Sequence, residues 1–208
     1  MVDTKCQTAQ VVGNDQKTGQ ILDAALPVFV RFGFRKTSMA DIARAAKISR
    51  ASLYLSFKSK EELFRAGSMR AHALTLDNVA AMLDGQGSVL DRVEAAIVVF
   101  QRELIAPFGG SADAEELFAA NMALAADITL AAREKLLSML TQKLIVAIES
   151  KEIDLAPLQA RPAQLANIIV AAMDGIKHTQ WSGGSGLEDN TRLFMRALKM
   201  AVTPRDGP

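Results

Sequence analysis

Ser38-Met-Ala-Asp41-Ile-Ala-Arg-Ala-Ala-Lys47-Ile-Ser49-Arg-Ala-Ser-Leu53-Tyr-Leu-Ser-Phe57-Lys-Ser-Lys60-Glu-Glu-Leu63 is the stretch that decides the fold. Ser38 can accept the backbone N–H of Asp41 while Asp41 reaches back to Ser38, a capping box that opens a helix through Ile42, Ala43 and Ala46. Lys47-Ile48-Ser49 makes a tight turn, and Ser49 caps a second short helix ending near Ser56. Ser59-Lys-Glu-Glu62 is a further capping box, and the helix it starts runs to about Asp84. Leu53 and Phe57, four residues apart, share one face and turn inward. Arg50, Ser52, Tyr54, Lys58 and Lys60 crowd the remainder, and packing does not account for them.

Two short helices joined by a three-residue turn match the helix-turn-helix pattern, in which the second helix enters the major groove. Arg50 and Lys60 each stand at a helix start, where the dipole disfavours a cation. A phosphate supplies the missing negative charge, and helix starts also offer it free N–H groups. Tyr54 carries a hydroxyl on a stiff arm, suited to positioning a phosphate. Arg50 and Ser52 lie near the helix start, where side chains reach base edges.

The charge distribution agrees. The whole chain carries +1, but residues 1–65 carry +5 and residues 66–208 carry −4. Within 31–60, eight basic residues face only Asp41. A basic front portion on a mildly acidic remainder points to a polyanion at one end.

Upstream, Ile21, Leu22, Ala25, Leu26, Phe29 and Val30 recur at helical spacing from Thr18, and Gly33 offers the cap. Pro27 lies inside that helix and predicts a kink. Residues 1–16 read as a flexible polar arm, residues 17–64 as a DNA-binding domain and residues 65–203 as a larger helical domain. Downstream, breaks at 85–88, 107–111, 154–162 and 182–186 divide the chain into helices near 88–106, 112–126, 129–151, 162–181 and 187–201. No segment alternates with a strand period, so the expected class is all-α.

Gly33-Phe34, Thr37, Ile42-Ala43, Ala46, Ile48-Ser49, Leu53-Tyr54, Phe57 and Lys58-Ser-Lys-Glu-Glu-Leu63 together resemble the DNA-binding domain of TetR-family transcriptional regulators. The resemblance covers about residues 18–64. It implies a three-helix DNA-binding domain followed by a helical domain that dimerises and usually takes a small ligand. By the same resemblance Tyr54 and Lys60 hold phosphates, Thr37 adds a backbone contact, and Arg50, Ala51 and Ser52 face bases. Ser38, Ser49 and Lys58 complete the expected DNA-facing set. Two positions depart from the family's pattern. Lys47 replaces a frequent Gly and implies left-handed strain of about 1 kcal/mol. Ala51 replaces another Gly and adds a methyl able to touch a thymine.

For the larger domain, the apolar faces of the last two helices exceed what one neighbour needs and suit a symmetric bundle dimer. Leu165, Ile168, Ile169, Ala172, Ile176, Leu193, Phe194, Ala197 and Leu198 are the expected interface. Phe100, Phe118, Met122, Met139 and Trp181, with Asn121 and His178 as polar hooks, are candidates to line a pocket for an apolar ligand.

Catalytic arrangements are nearly absent. His72 and His178 are far apart without a metal-binding companion at i+4, and no Gly-rich phosphate loop follows a strand. Hence no enzyme, metal or cofactor is expected. One cysteine, Cys6, makes no internal disulfide and suits a reducing cytoplasm, and no apolar run approaches the roughly 18 to 20 residues that span a bilayer. The expected function is a dimeric repressor on a near-palindromic operator, released by a small effector. The alternatives are the same fold acting without a ligand, as an activator or constitutive regulator, and a helical protein–protein adaptor.

Overall fold

The protein was analysed as a computed structural model, which describes residues 4–106, 114–181 and 186–204, with side-chain surroundings for 16–106, 116–176 and 186–204. The described residues are helical, with no strand among them: α1 (Thr4–Lys36), α2 (Met39–Ala45), α3 (Arg50–Ser56), α4 (Lys60–Leu83), α5 (Val89–Leu104), α6 (Ala114–Leu124), α7 (Ala126–Glu149), a 3-10 turn (Ala156–Leu158), α8 (Pro162–Trp181) and α9 (Leu187–Val202). The all-α expectation holds.

Two expectations for α1 need correction. Helical backbone begins at Thr4, ahead of the start expected at Thr18, and so runs through the stretch that reads as a polar arm. Helical dihedrals also pass through Pro27, and the kink falls at Gly33 (φ 76°, ψ 166°) instead. Pro27 is exposed, so the helix carbonyl it leaves without a donor can turn to water. Gly33 supplies the positive φ that other residues resist.

The chain divides into two compact units. The first comprises residues 1–70 and 110–126, so the boundary falls within α4 and α6 belongs to the first unit. Ile21, Ala25, Phe29, Ile42, Leu53, Phe57, Leu63 and Leu117 are buried in it. Phe29, Phe34 and Phe64 form a triangle with ring centroids 5.2 to 5.8 Å apart, stacked or edge-on. Three polar contacts tie α6 down: the Arg35 N–H donates to Glu116 Oε1 at 2.7 Å, the Ser68 hydroxyl donates to Asn121 Oδ1 at 3.1 Å, and the Arg65 guanidinium donates to the Leu124 carbonyl.

The second unit comprises residues 71–109 and 127–208. Its core gathers Val79, Val93, Ile97, Leu136, Leu140, Leu144, Ile169, Val170 and Met195 from α4, α5, α7, α8 and α9. Ion pairs fasten α9 to α5. Lys199 Nζ donates to Asp91 at 2.6 Å and to Glu94 at 2.8 Å, and Arg102 reaches Glu188 at 2.8 Å. The Asp91 carboxyl is held below its ordinary value, first by the Lys199 hydrogen bond and then by the Ser88 hydroxyl. No described helix is long and apolar enough to cross a membrane.

Candidate nucleic-acid interface

Each turn of the helix-turn-helix has a local cause. Ser38 Oγ accepts the Asp41 N–H and the Ser38 N–H donates to the Asp41 carboxylate, so the capping box at the start of α2 is present. That carboxyl lies below its ordinary value, chiefly through the Ser38 hydroxyl, which donates to it at 2.5 Å. At the other end of α2, the Lys47 N–H donates to the Arg44 carbonyl (3.2 Å) and the Ile48 N–H to the Ala43 carbonyl (3.0 Å). This paired closure is a Schellman turn, and it requires a left-handed residue. Lys47 takes that role at φ 55°. Ser49 Oγ then accepts the Ser52 N–H at 3.0 Å and starts α3. Past α3, the Ser59 hydroxyl accepts the Glu62 N–H while the Glu62 carboxylate accepts the Lys58 N–H at 2.8 Å, which sets the start of α4.

The outward face of α3 is settled by what turns inward. Leu53 is fully buried and Phe57 nearly so, which leaves Arg50, Ala51, Tyr54, Leu55 and Lys58 exposed. Arg50 and Tyr54 lie four apart in one row, Ala51 and Leu55 form the adjacent row, and Lys58 follows just past the extended C-cap residue Phe57. Among the described residues, the Arg50 guanidinium, the Tyr54 hydroxyl and the Lys47 and Lys58 ammonium groups have no hydrogen-bond or ion-pair partner, whereas Arg44 pairs with Asp41 at 3.2 Å. Four donor groups on α3 and the residues flanking it, three of them cations, are therefore unspent among the described residues.

Other expected contact residues are occupied differently. Thr37 is 2% exposed and its hydroxyl donates to the Gly33 carbonyl at 2.6 Å, closing the break after α1. Ser38 and Ser49 spend their hydroxyls on the caps, although both are exposed. Ser52 is half-buried, and its Oγ accepts from Lys17 Nζ at 2.9 Å. Lys17 was not anticipated; α1 delivers its ammonium to α3, a long-range placement that sequence spacing does not reveal.

Lys60 needs the largest correction. The expected partner is a phosphate, but its ammonium donates to the carbonyls of Phe34 (2.7 Å), Thr37 (2.9 Å) and Arg35 (3.3 Å), and it sits 4.4 Å from the Phe34 ring centroid. An ammonium has three donors, and three carbonyls take them. The cation that looks misplaced at the start of α4 is held by the backbone carbonyls that follow the Gly33 break, and so ties down the connection from α1 to α2.

The expected pocket residues do not gather in one unit. Phe100 is in the core of the second unit and Met139 packs against that core. Phe118, Asn121 and Met122 lie on α6 in the first unit, with Met122 exposed. The side chains of His178 and Trp181 lie outside those described. Sequence reasoning missed Gln101, which is 0% exposed in the second unit; its Oε1 accepts from Thr191 at 2.9 Å while its Nε2 has no partner among the described residues.

The expected interface residues split as well. Leu165, Ile169 and Leu198 are buried in the core and Phe194 packs against it. Ile168, Leu193 and Ala197 are exposed, Ala172 and Ile176 half-buried, and Met200, which was not anticipated, is exposed on the same side of α9. A broad apolar stripe in a bundle must first serve its own core, and periodicity alone does not separate the two faces.

Comparison with known proteins agrees with this geometry. The sequence model of "Bacterial regulatory proteins, tetR family" matches residues 21–66, the segment that carries α2, α3 and the start of α4. The chain is 45% identical over 51 residues to the HTH-type transcriptional regulator YfiR of Bacillus subtilis, 24% of this chain and 25% of that protein. It therefore aligns to only about a quarter of that relative's length. It is 33% identical over 96 residues to the HTH-type transcriptional regulator TtgW of Pseudomonas putida, covering 39% of this chain and 72% of TtgW. Among solved structures, a transcriptional regulator from Saccharomonospora viridis in complex with choline superposes with a TM-score of 0.74 at 17% identity, over 92% of this chain and 100% of that one. At that identity the likeness concerns the fold.

Proposed function

The chain belongs to the TetR family of bacterial regulatory proteins, and from that premise we propose that it is a dimeric, DNA-binding transcriptional repressor released from its operator by a small ligand. One observation carries the DNA-binding reading: Arg50 and Tyr54 on the outward side of a capped, short helix, with Lys47 and Lys58 flanking it, present donors that have no partner among the described residues. Tyr54 and Lys58 hold phosphates and fix the helix in the major groove. Arg50, Ala51 and Ser52, nearest the start of α3, meet base edges. Lys60 acts behind them as a positioning residue, fixing the turn between α1 and α2.

Dimerisation uses the outward strip of α8 and α9, formed by Ile168, Leu193, Ala197 and Met200 with Ala172 and Ile176 beside it. A two-fold dimer sets two copies of α3 on a near-palindromic duplex, one helical turn or a small multiple apart. The effector is small and largely apolar, held in the second unit, where the core is apolar and Gln101 Nε2, without a partner among the described residues, offers a donor to a ligand acceptor. It releases DNA only if it prefers a conformation that DNA does not, and the weakening is then reciprocal. The protein works on DNA in the cytoplasm.

The experiment is selection of bound duplexes from the organism's fragmented genome by the full-length protein. A recurring near-palindrome is the expected outcome. Loss of all enrichment in wild-type protein overturns the reading, and Arg50→Ala should broaden the selected motif where Tyr54→Phe weakens binding to every sequence alike.

A further inference from the structure

The side chain on α3 that neither packing nor hydrogen bonding explains is Leu55, 88% exposed and the most exposed of the described large apolar side chains. It lies two residues from Leu53 and two from Phe57, hence on the opposite side of the helix from the buried pair. Ala51 lies one turn before it, also exposed, so the two make a short apolar strip beside Arg50 and Tyr54.

We propose that Leu55, with Ala51 beside it, reads thymine in the operator by covering the thymine C5-methyl group. The inference rests on the DNA-binding reading above. Charge selects the occupant of this strip. Lys47 just before α3, Arg50 at its start and Lys58 just past its end are exposed with no partner among the described residues, and Lys17 reaches the same helix through Ser52. An apolar groove of a protein partner would have to desolvate those cations without pairing them. Duplex DNA pairs them with phosphates and offers, on its major-groove base edges, one apolar group: the thymine methyl. Leucine has no donor or acceptor. Opposite guanine, adenine or cytosine it would strip water from a polar edge and return nothing, so it discriminates against them as well as favouring thymine. Ala51, too short to reach far, fills the space toward the start of the helix.

The test uses the full-length protein and a consensus selected from a random duplex library. Each thymine of the consensus is replaced singly by deoxyuridine, which removes the methyl and keeps base pairing. Wild-type protein should lose about fourfold in affinity at one position of each half-site, the amount expected for one buried methyl group. Leu55→Ala, a surface change whose helicity circular dichroism can check, should bind the thymine duplex more weakly and be indifferent to deoxyuridine at that position. Uniform wild-type affinity for every deoxyuridine duplex would overturn the assignment, as would a Leu55→Ala protein that keeps the full deoxyuridine penalty. Failure to select any duplex would instead remove the DNA-binding reading itself, so the two failures are distinct.

Discussion

Replacing Lys60 by methionine separates two roles that the sequence cannot distinguish. The substitution keeps an apolar stem of similar length and removes only the ammonium. Its bonds to the Phe34 and Thr37 carbonyls are part-buried, and the one to Arg35 is exposed. A bond from a charged donor contributes about 1.5 to 3 kcal/mol when fully desolvated, and water reaching part-buried carbonyls lowers that to about 1 kcal/mol each. The contact with the Phe34 ring adds about 0.5 kcal/mol at a partly exposed site, and the exposed bond adds little. The expected loss is therefore roughly 2 to 3 kcal/mol, read as a lower urea midpoint by circular dichroism. Operator affinity should fall because the turn before α2 loosens, while the slope of log K against log salt stays at its wild-type value. Lys58→Ala should behave oppositely, keeping stability and flattening that slope by about 0.9 for each phosphate no longer neutralised. Were Lys60→Met to keep wild-type stability and flatten the salt slope, the ammonium would sit on phosphate in solution and the clamp would be wrong.

Three further outcomes follow from the geometry. Lys47→Gly should raise stability by about 0.5 kcal/mol in urea, since relief of roughly 1 to 2 kcal/mol of left-handed strain at φ 55° outweighs the roughly 0.5 to 1 kcal/mol of backbone entropy that glycine adds; a loss above about 1 kcal/mol would mean the lysine is not strained there. The Asp91 and Glu188 carboxyls are both held below their ordinary values, by hydrogen bonds from Lys199 and Arg102 respectively. Their contribution is complete above the unfolded carboxylate range and is lost as pH falls below about 4, so the stability gap between wild type and Lys199→Met should be full at neutral pH and close in acid. A gap unchanged at pH 2 would contradict this. Leu193→Asp should yield a folded monomer by sedimentation, because Leu193 is exposed on α9, whereas Leu198→Asp, which buries a charge, should not fold. A dimeric Leu193→Asp would place the interface elsewhere.

Local chemistry is legible in the sequence wherever partners lie within four residues. The Ser38–Asp41 box, the left-handed Lys47 and the Ser49 cap are all short-range, and the structure contains them. Lys60 is misleading in sequence because its partners lie 23 to 26 residues upstream, so dipole reasoning finds the cation's problem but not its solution. Leu55 is open to the same periodicity that places Leu53 and Phe57 inside, but a single exposed apolar residue is too common on protein surfaces to stand out. Phe100 and Phe118 illustrate a different limit. Both are apolar at helical spacing, yet they belong to different units, because residues 110–126 return to the first unit and no periodicity encodes that return. The split of Leu165 from Ile168 likewise depends on which helices are neighbours.

The central claim is that the outward face of α3 recognises a particular duplex. Equilibrium binding of the full-length protein to its selected duplex and to a scrambled one, at one fixed salt concentration, tests it most directly. The expected result is a preference of about a thousandfold or more for the selected duplex, reduced toward non-specific binding when Arg50→Ala and Tyr54→Phe are combined. Equal affinity for both duplexes, or a preference that survives the double substitution undiminished, would contradict it.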